Sequence, residues 1–151
     1  MLLKNKKILI TGVANKYSIA LGIAKAMKNQ GAELAIAYQN ERLLKNVQSL
    51  ADELETNVLI ECDVSWDESI KESKQRLIDE WGTFDGFVHS IGFAPSDQLV
   101  GNFVDVTTRE GFKIAHDISS YSFTALAKEY KAILNPNSAL LTLTSLGSVQ
   151  T

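Results

Sequence analysis

The chain has 151 residues, 45% of them hydrophobic and 22% charged, which fits one soluble globular unit with a sizeable core. Its formal net charge of -3 and the lack of a long basic run argue against a nucleic-acid partner. The single cysteine, Cys62, has no internal disulfide partner, no stretch approaches the roughly 18 apolar residues of a membrane span, and "MLLKNKKILI" lacks the apolar length and cleavage site of a secretory signal, so a cytoplasmic protein without membrane contact is expected.

Short apolar runs alternate with longer helical patterns. Strands are predicted at Lys7–Thr11, Glu33–Tyr38, Asn57–Cys62, Gly86–Ser90 and Ala139–Thr144, and helices at Ser18–Asn29, Glu41–Leu54, Glu68–Trp81 and Arg109–Leu134. This alternation predicts a parallel sheet with helices on both faces, and right-handed crossovers make it a Rossmann-type doubly wound α/β fold, ordered 3-2-1-4-5. No internal repeat, linker or low-complexity segment interrupts it, so residues 1–151 read as a single dinucleotide-binding domain. Such sheets usually continue with a further helix and strand, so the end after the fifth strand reads as abrupt.

The first βα turn, "TGVANKYSIALGIAKAM", carries the most specific local signal. Gly12 falls where the strand must turn sharply, Ser18 is a good N-cap for the next helix, and Gly31 can close that helix in a left-handed conformation. Ile19, Ile23, Ala26 and Met27 recur at helical spacing and predict one apolar stripe. A phosphate at this helix start would meet backbone N–H groups and the positive end of the helix dipole, and the Ser18 hydroxyl could donate to it. An ordinary βα turn with a capped helix is the alternative reading.

Ligands in open α/β sheets bind at the carboxyl ends of the strands, so the other strand ends matter. The second ends in "AYQN", where Gln39 replaces the acid that often holds an adenosine ribose. No arginine directly follows, although Arg42 is near, which favours NADH over NADPH. The third ends in "CDV": Asp63 can accept from an adenine amino group with Val64 against the ring, or can simply cap a turn. The fourth ends in "HSIGFAP", where Gly92 allows close backbone approach to a ribose. Tyr121 and Lys128, and also Tyr38 and Lys45, lie seven residues apart, but the first pair sits inside the helix before the fifth strand and reads as surface and packing. His89, His116 and Cys62 have no metal-site spacing, and His89 reads as a core or strand-end residue.

Taken together, "ITGVANKYSIALGIAKAM", "AYQNERL", "CDV", "FDGFVHSIGFAPSDQL", "TREGFKIAHDISSYSF" and "NPNSALLTLTSLGS" resemble the NADH-dependent enoyl-acyl-carrier-protein reductases, a divergent branch of the short-chain dehydrogenase/reductases. The resemblance runs in order over essentially the whole chain. It implies reduction of a trans-2-enoyl thioester on acyl-carrier protein, with NADH as cofactor, in fatty-acid biosynthesis. It further implies that Gly12, Ser18, Ile19, Gln39, Asp63, Val64 and Ile91 contact NADH, that Ala94 touches the acyl substrate, and that the protein is a homo-oligomer, tetrameric in the family. The long helix with Phe112, Ile114, Ile118, Tyr121, Ala125 and Leu126 would there pack against a neighbouring subunit.

The chain also departs from that family. Family members continue further and include two tyrosines and a lysine in the active site. Ser145 stands at the first tyrosine position, where mainstream short-chain dehydrogenases place a catalytic serine, and the second tyrosine and the lysine would fall beyond Thr151. Ser145 is therefore the catalytic candidate within this chain, with a polar strand end as its plainer reading. Two alternatives follow: a non-catalytic dinucleotide-binding fragment, or a short-chain dehydrogenase acting on another carbonyl substrate.

Overall fold

Five parallel strands carry the fold of this computed structural model, which describes residues 1–150: Lys7–Ile10 (β1), Glu33–Tyr38 (β2), Leu59–Glu61 (β3), Phe84–His89 (β4) and Leu134–Thr142 (β5). Their order is β3-β2-β1-β4-β5, as the alternation of strands and helices predicts. The helices are Ile19–Asn29 (α1), Glu41–Glu53 (α2), Asp67–Trp81 (α3), the single turn Phe103–Val106 (α4), Arg109–His116 (α5) and Ser122–Tyr130 (α6). Strand order reverses between β1 and β4, because the chain moves outward from β1 to β3 and then crosses back to β4 on its other side.

Side chains alternate across the pleat of β1 and so feed two cores. Leu9 points to one face with Ala35, Ile60, Phe84, Phe87, Leu126 and Tyr130. Ile8 and Ile10 point to the other with Leu34, Ile36, Ala20, Leu21, Ala24 and Val47. Burial on both faces is what a parallel sheet requires and explains the near-continuous apolar runs of β1 and β2. On the first face the buried Tyr130 ring packs edge-on to Phe84 and Phe87. Its hydroxyl lies 2.6 Å from Ser73 Oγ, and Ser73 spends its own proton on the Ile70 carbonyl, so Tyr130 is the donor.

Helix ends follow local chemistry. Asn40 accepts from the Arg42 N–H at the start of α2, and Thr108 accepts from the Gly111 N–H at the start of α5. Gly31, with φ +93°, closes α1: its N–H reaches the Lys28 carbonyl while Ala32 N–H reaches that of Met27. The buried stripe of α1 differs from the predicted one. Ala20, Leu21 and Ala24 face the sheet, Ile23 and Met27 are half-buried, and Ile19 and Ala26 are exposed. Nearly every residue of "IALGIAKAM" is apolar, so spacing does not choose a face, and small alanines let the helix approach the sheet closely.

β4 starts at Phe84 rather than Gly86 and ends at His89, most other ends move by at most a single residue, and three elements differ more. Regular pairing of β3 covers only Leu59–Glu61, although Val58 and Cys62 still bond to β2 through Ile36 N–H and the Tyr38 carbonyl. β5 starts at Leu134 rather than Ala139, because "NPNS" is absorbed as a bulge: Phe84 and Gly86 of β4 pair with Leu134 and Ala139, and Asn137 takes φ +63°. The predicted helix Arg109–Leu134 is divided into α5, a π-helical turn at Asp117–Tyr121, α6 and a 3-10 turn at Lys131–Ile133. The apolar set on this segment divides as well. Ala125 and Leu126 are buried in the chain's own core, Ile114 and Ile118 are half-buried, and Phe112 and Tyr121 are exposed. Among the described residues no helix is long and apolar enough to cross a membrane.

Candidate functional site

At the carboxyl ends of β1, β2, β3 and β4 lies a crevice of about 310 Å³. It sits where strand order reverses, the position open α/β sheets offer a ligand, and its volume is at the lower end of the roughly 300–1,000 Å³ of small-molecule sites. Each strand contributes residues at or just past its carboxyl end: Thr11 to Ala14 from β1, Ala37 to Gln39 from β2, Cys62 to Val64 from β3, and Ser90 to Phe93 from β4. Asp63 is the one charged side chain in this lining.

Gly12 sets the floor. With φ +80°, it takes a left-handed conformation, and a Cβ there would overlap the Ser90 carbonyl oxygen and lie 2.6 Å from its carbon. The ends of β1 and β4 are thus in backbone contact at the crevice. Thr11 clips them together. It is buried, its N–H and hydroxyl both donate to the Val88 carbonyl, at 3.0 and 2.9 Å, and its Oγ1 accepts from the Ser90 N–H at 3.1 Å.

Past Gly12 the turn is shaped by side chains rather than by further glycines. Ser18 occupies the N-cap position of α1, yet its hydroxyl bonds backward: Oγ accepts from Ala14 N–H and Asn15 N–H, both at 3.1 Å. Asn15 Oδ1 in turn accepts from Tyr17 N–H at 2.8 Å. With Oγ acting as acceptor in both contacts, the Ser18 proton stays available to a ligand oxygen at the start of α1.

Across the crevice Gln39 Nε2 donates to Asp63 Oδ2 at 3.4 Å. The other Asp63 oxygen accepts from Ser65 N–H and from Ser65 Oγ, at 3.0 and 2.6 Å, so this residue shapes the turn after β3 while one oxygen faces Gln39. Burial raises the Tyr38 phenol above its ordinary value, and the nearby Glu61 carboxylate adds to this. Burial likewise raises the Cys62 thiol, which favours its protonated form in this wall. A Cβ at Gly92 would meet no protein atom within 4 Å, which leaves open space at that point of the lining.

Of the predicted site residues, the crevice brings together Gly12, Gln39, Asp63, Val64 and Ile91. Ser18 stands just behind the turn, bonded to the lining residue Ala14. Ile19 is 68% exposed at the first position of α1, outside the lining. Ala94 follows the last lining residue of the β4 loop, and Ser145 is exposed after β5, at the same edge of the sheet but outside the crevice. Tyr121 and Lys128 lie away from it. His89 is buried at the end of β4, with Nδ1 2.9 Å from Thr142 Oγ1 and Nε2 2.7 Å from Ser122 Oγ. Sequence reasoning missed Thr11, Phe93 and Ile118 as lining residues. The strand-end position of Thr11 was a usable signal. Nothing local in the sequence places Ile118, which arrives from the distant π turn, beside β4.

These features define a Rossmann-type α/β protein with a ligand crevice at the strand-order reversal. The chain belongs, more particularly, to the enoyl-(acyl carrier protein) reductase family, whose model matches residues 12–151. It is 58% identical over 146 residues to the enoyl-[acyl-carrier-protein] reductase [NADH] of Escherichia coli, covering 97% of this chain and 56% of that protein. The reductase of the same description from Enterococcus faecalis is 51% identical over 148 residues, covering 98% and 58%. The chain thus spans little more than half the length of the curated relatives it matches. Among solved structures, the enoyl-[acyl-carrier-protein] reductase (NADH) of Aquifex aeolicus is similar over all of this chain and 65% of its own, with a TM-score of 0.95 and 45% identity. The Anaplasma phagocytophilum enzyme in complex with NAD is similar over all of this chain and 57% of its own, with a TM-score of 0.94 and 39% identity.

Proposed function

We propose that this chain is the cofactor-binding part of an NADH-dependent enoyl-acyl-carrier-protein reductase of fatty-acid biosynthesis, with residues 1–151 acting as one dinucleotide-binding domain. The observation that carries the reading is the crevice itself: four strand ends meet around Gly12, Gln39, Asp63 and Ile91, in a chain of this family. When bound, NADH would supply a hydride to the β-carbon of a trans-2-enoyl thioester, and a proton from solvent added at the α-carbon would complete the reduction. The chain's own groups bind and orient. Gly12 admits a pyrophosphate against the turn, and the N–H groups opening α1 and the Ser18 hydroxyl donate to it. Ile19 covers it from outside. Gln39 takes the adenosine ribose, Asp63 and Val64 receive the adenine, and Ile91 supports the remote half. Ala94 meets the acyl chain. Ser145, at the same edge of the sheet, is the hydroxyl of this chain that would hydrogen-bond the thioester carbonyl.

Among the described residues the lining contains no lysine or arginine, which supports NADH over NADPH, since a 2′-phosphate beside Gln39 would have the Asp63 carboxylate, 3.4 Å from Gln39, as its charged neighbour and no cation in the lining to offset it. The reading carries with it a cytoplasmic setting, acyl-carrier protein as the substrate's carrier, and assembly into a homo-oligomer. The test has two parts. Titrating the chain with NADH and NADPH, followed by amide chemical shifts, should move Gly12, Gln39, Asp63 and Ile91 with NADH more than with NADPH, at an affinity weaker than the micromolar level, about 8 kcal/mol, of a complete cofactor site. A longer form carrying the rest of the family's length should consume NADH only when a trans-2-enoyl thioester is supplied. Shifts confined to other residues, or thioester-independent NADH consumption, would overturn the proposal.

A further inference from the structure

We infer that Ser119, in the π-helical turn before α6, is a positioning residue that holds the β4 loop in place as a wall of the crevice. Ser90, Ile91, Gly92 and Phe93 line the crevice in succession without belonging to any helix or strand, so their backbone polar groups need outside partners. One end of the loop is held by the Thr11 clip on Ser90 N–H. The other end is held by Ser119, whose hydroxyl accepts from Phe93 N–H at 2.9 Å and donates to the Phe93 carbonyl at 3.0 Å. A single side chain thereby satisfies both backbone groups of one loop residue 26 positions earlier in the chain.

The π turn is what delivers this contact. It interrupts the helical run after α5, and three of its neighbouring positions meet the end of β4: Ile118 lines the crevice, Ser119 takes Phe93, and Ser122, the next residue after the turn, meets His89. Ser122 Oγ donates to the Ile118 carbonyl at 2.6 Å, so its proton is spent and His89 Nε2 must be the donor between them. Nδ1 of His89 then accepts from the Thr142 hydroxyl. The brace runs by hydrogen bonds from Thr142 of β5 through His89 and Ser122 to the Ile118 carbonyl, and on through the backbone of the π turn to Ser119 and Phe93. π turns inserted in helices occur often at functional sites, and this one holds a site wall.

The role of Ser119 in holding the loop is independent of any ligand; its consequence for cofactor binding rests on the function proposed above. The experiment measures amide hydrogen exchange by NMR on the chain and on its Ser119→Ala and Ser119→Thr variants, then titrates each with NADH. In Ser119→Ala, which removes both bonds to Phe93, the Phe93 amide should exchange at least roughly five- to tenfold faster, the effect of losing the one modest hydrogen bond made by that N–H. The amides of Leu9 and Val88 should be unchanged, and Ser119→Thr, which keeps the hydroxyl, should exchange like the parent. Unchanged exchange at Phe93, or acceleration shared equally by Leu9 and Val88, overturns the inference. Where the parent binds NADH, Ser119→Ala should bind several-fold more weakly and Ser119→Thr should recover, and equal affinity in Ser119→Ala removes the link between loop and cofactor. Where the parent does not bind NADH, the cofactor reading fails and the exchange data alone decide the role of Ser119.

Discussion

Replacing Gly12 by alanine should destabilise the chain by about 3–6 kcal/mol, a large part of the 5–15 kcal/mol typical of a folded domain. Two separable costs make up that figure. The left-handed φ of +80° costs an L-residue about 1–2 kcal/mol. The new methyl would also lie 2.6 Å from the Ser90 carbonyl carbon, about 1 Å inside ordinary carbon contact. Relief requires the ends of β1 and β4 to part, which strains the Thr11 bonds to Val88 and Ser90 and adds roughly 2–4 kcal/mol of overpacking and weakened hydrogen bonding. Gly22 is the control within the same motif. It lies inside α1, and a methyl added there would meet no protein atom within 4 Å, so Gly22→Ala should stabilise by about 0.5–1 kcal/mol through helix propensity alone. Urea unfolding followed by circular dichroism separates the two. With a slope of about 2 kcal/mol/M, Gly12→Ala should lower the midpoint by roughly 2 M, and Gly22→Ala should raise it slightly. Equal midpoints for Gly12→Ala and the parent would show that the backbones do not approach as described, and the crevice floor would lose its physical basis.

Other outcomes follow from the same geometry. Tyr130→Phe should cost about 1–2 kcal/mol in urea unfolding, because it removes the donor to the buried Ser73 hydroxyl while leaving the ring contacts with Phe84 and Phe87 intact; no loss would mean that the Ser73–Tyr130 bond contributes nothing net. Burial holds His89 below the ordinary histidine value, so the unfolded chain takes up a proton near pH ~6.5 that the folded chain refuses. Stability should therefore be full above that pH and fall as pH drops toward the lower folded value, and His89→Asn should flatten this part of the urea-midpoint profile. Asp85 behaves in the same sense at lower pH. Burial raises its carboxyl, but Lys7 N–H at 2.8 Å, Asn135 at 3.1 Å and Lys6 at 3.5 Å more than offset this and leave it below the ordinary aspartate value. Its contribution should be present above pH ~3.9 and disappear as pH falls through the folded value, so Asp85→Asn should show a smaller loss of stability on acidification than the parent.

Local chemistry made much of the fold legible. The alternation of strands and helices, the turn at Gly12, the close of α1 at Gly31 and the strand ends at Gln39 and Asp63 are each written in a few adjacent residues, and the sheet order follows from handedness. What escaped reading depends on contacts distant in sequence. The π turn shifts the helical phase by about one residue over a single short turn, too little for the apolar pattern of this segment to reveal. Ser119 reads as an ordinary helix-surface serine until Phe93 is brought to it. "NPNS" has every mark of a turn, and only pairing with β4 draws it into a bulged strand. The buried face of α1 is not legible because Ile19 and Ala26 are as apolar as Ala20 and Ala24, and burial is decided by how closely the helix lies on the sheet.

The single-glycine turn has a physical account. A glycine-rich phosphate loop uses glycine for two tasks, close backbone approach and unusual turn geometry. Here the tasks are divided. Close approach is needed at one point, where β1 passes the Ser90 carbonyl, and Gly12 meets it. Turn geometry is set instead by side-chain acceptors: Ser18 gathers the N–H groups of Ala14 and Asn15, and Asn15 gathers that of Tyr17. Such a turn loses less conformational freedom on folding than a run of glycines would, and it leaves a hydroxyl proton at the head of α1. The same division recurs opposite, where hydroxyls from Thr11 and Ser119 hold the two ends of the β4 loop. Both walls of the crevice are therefore held largely by side-chain oxygens acting on backbone, and Gly12 marks the one point where the wall leaves no room for a Cβ.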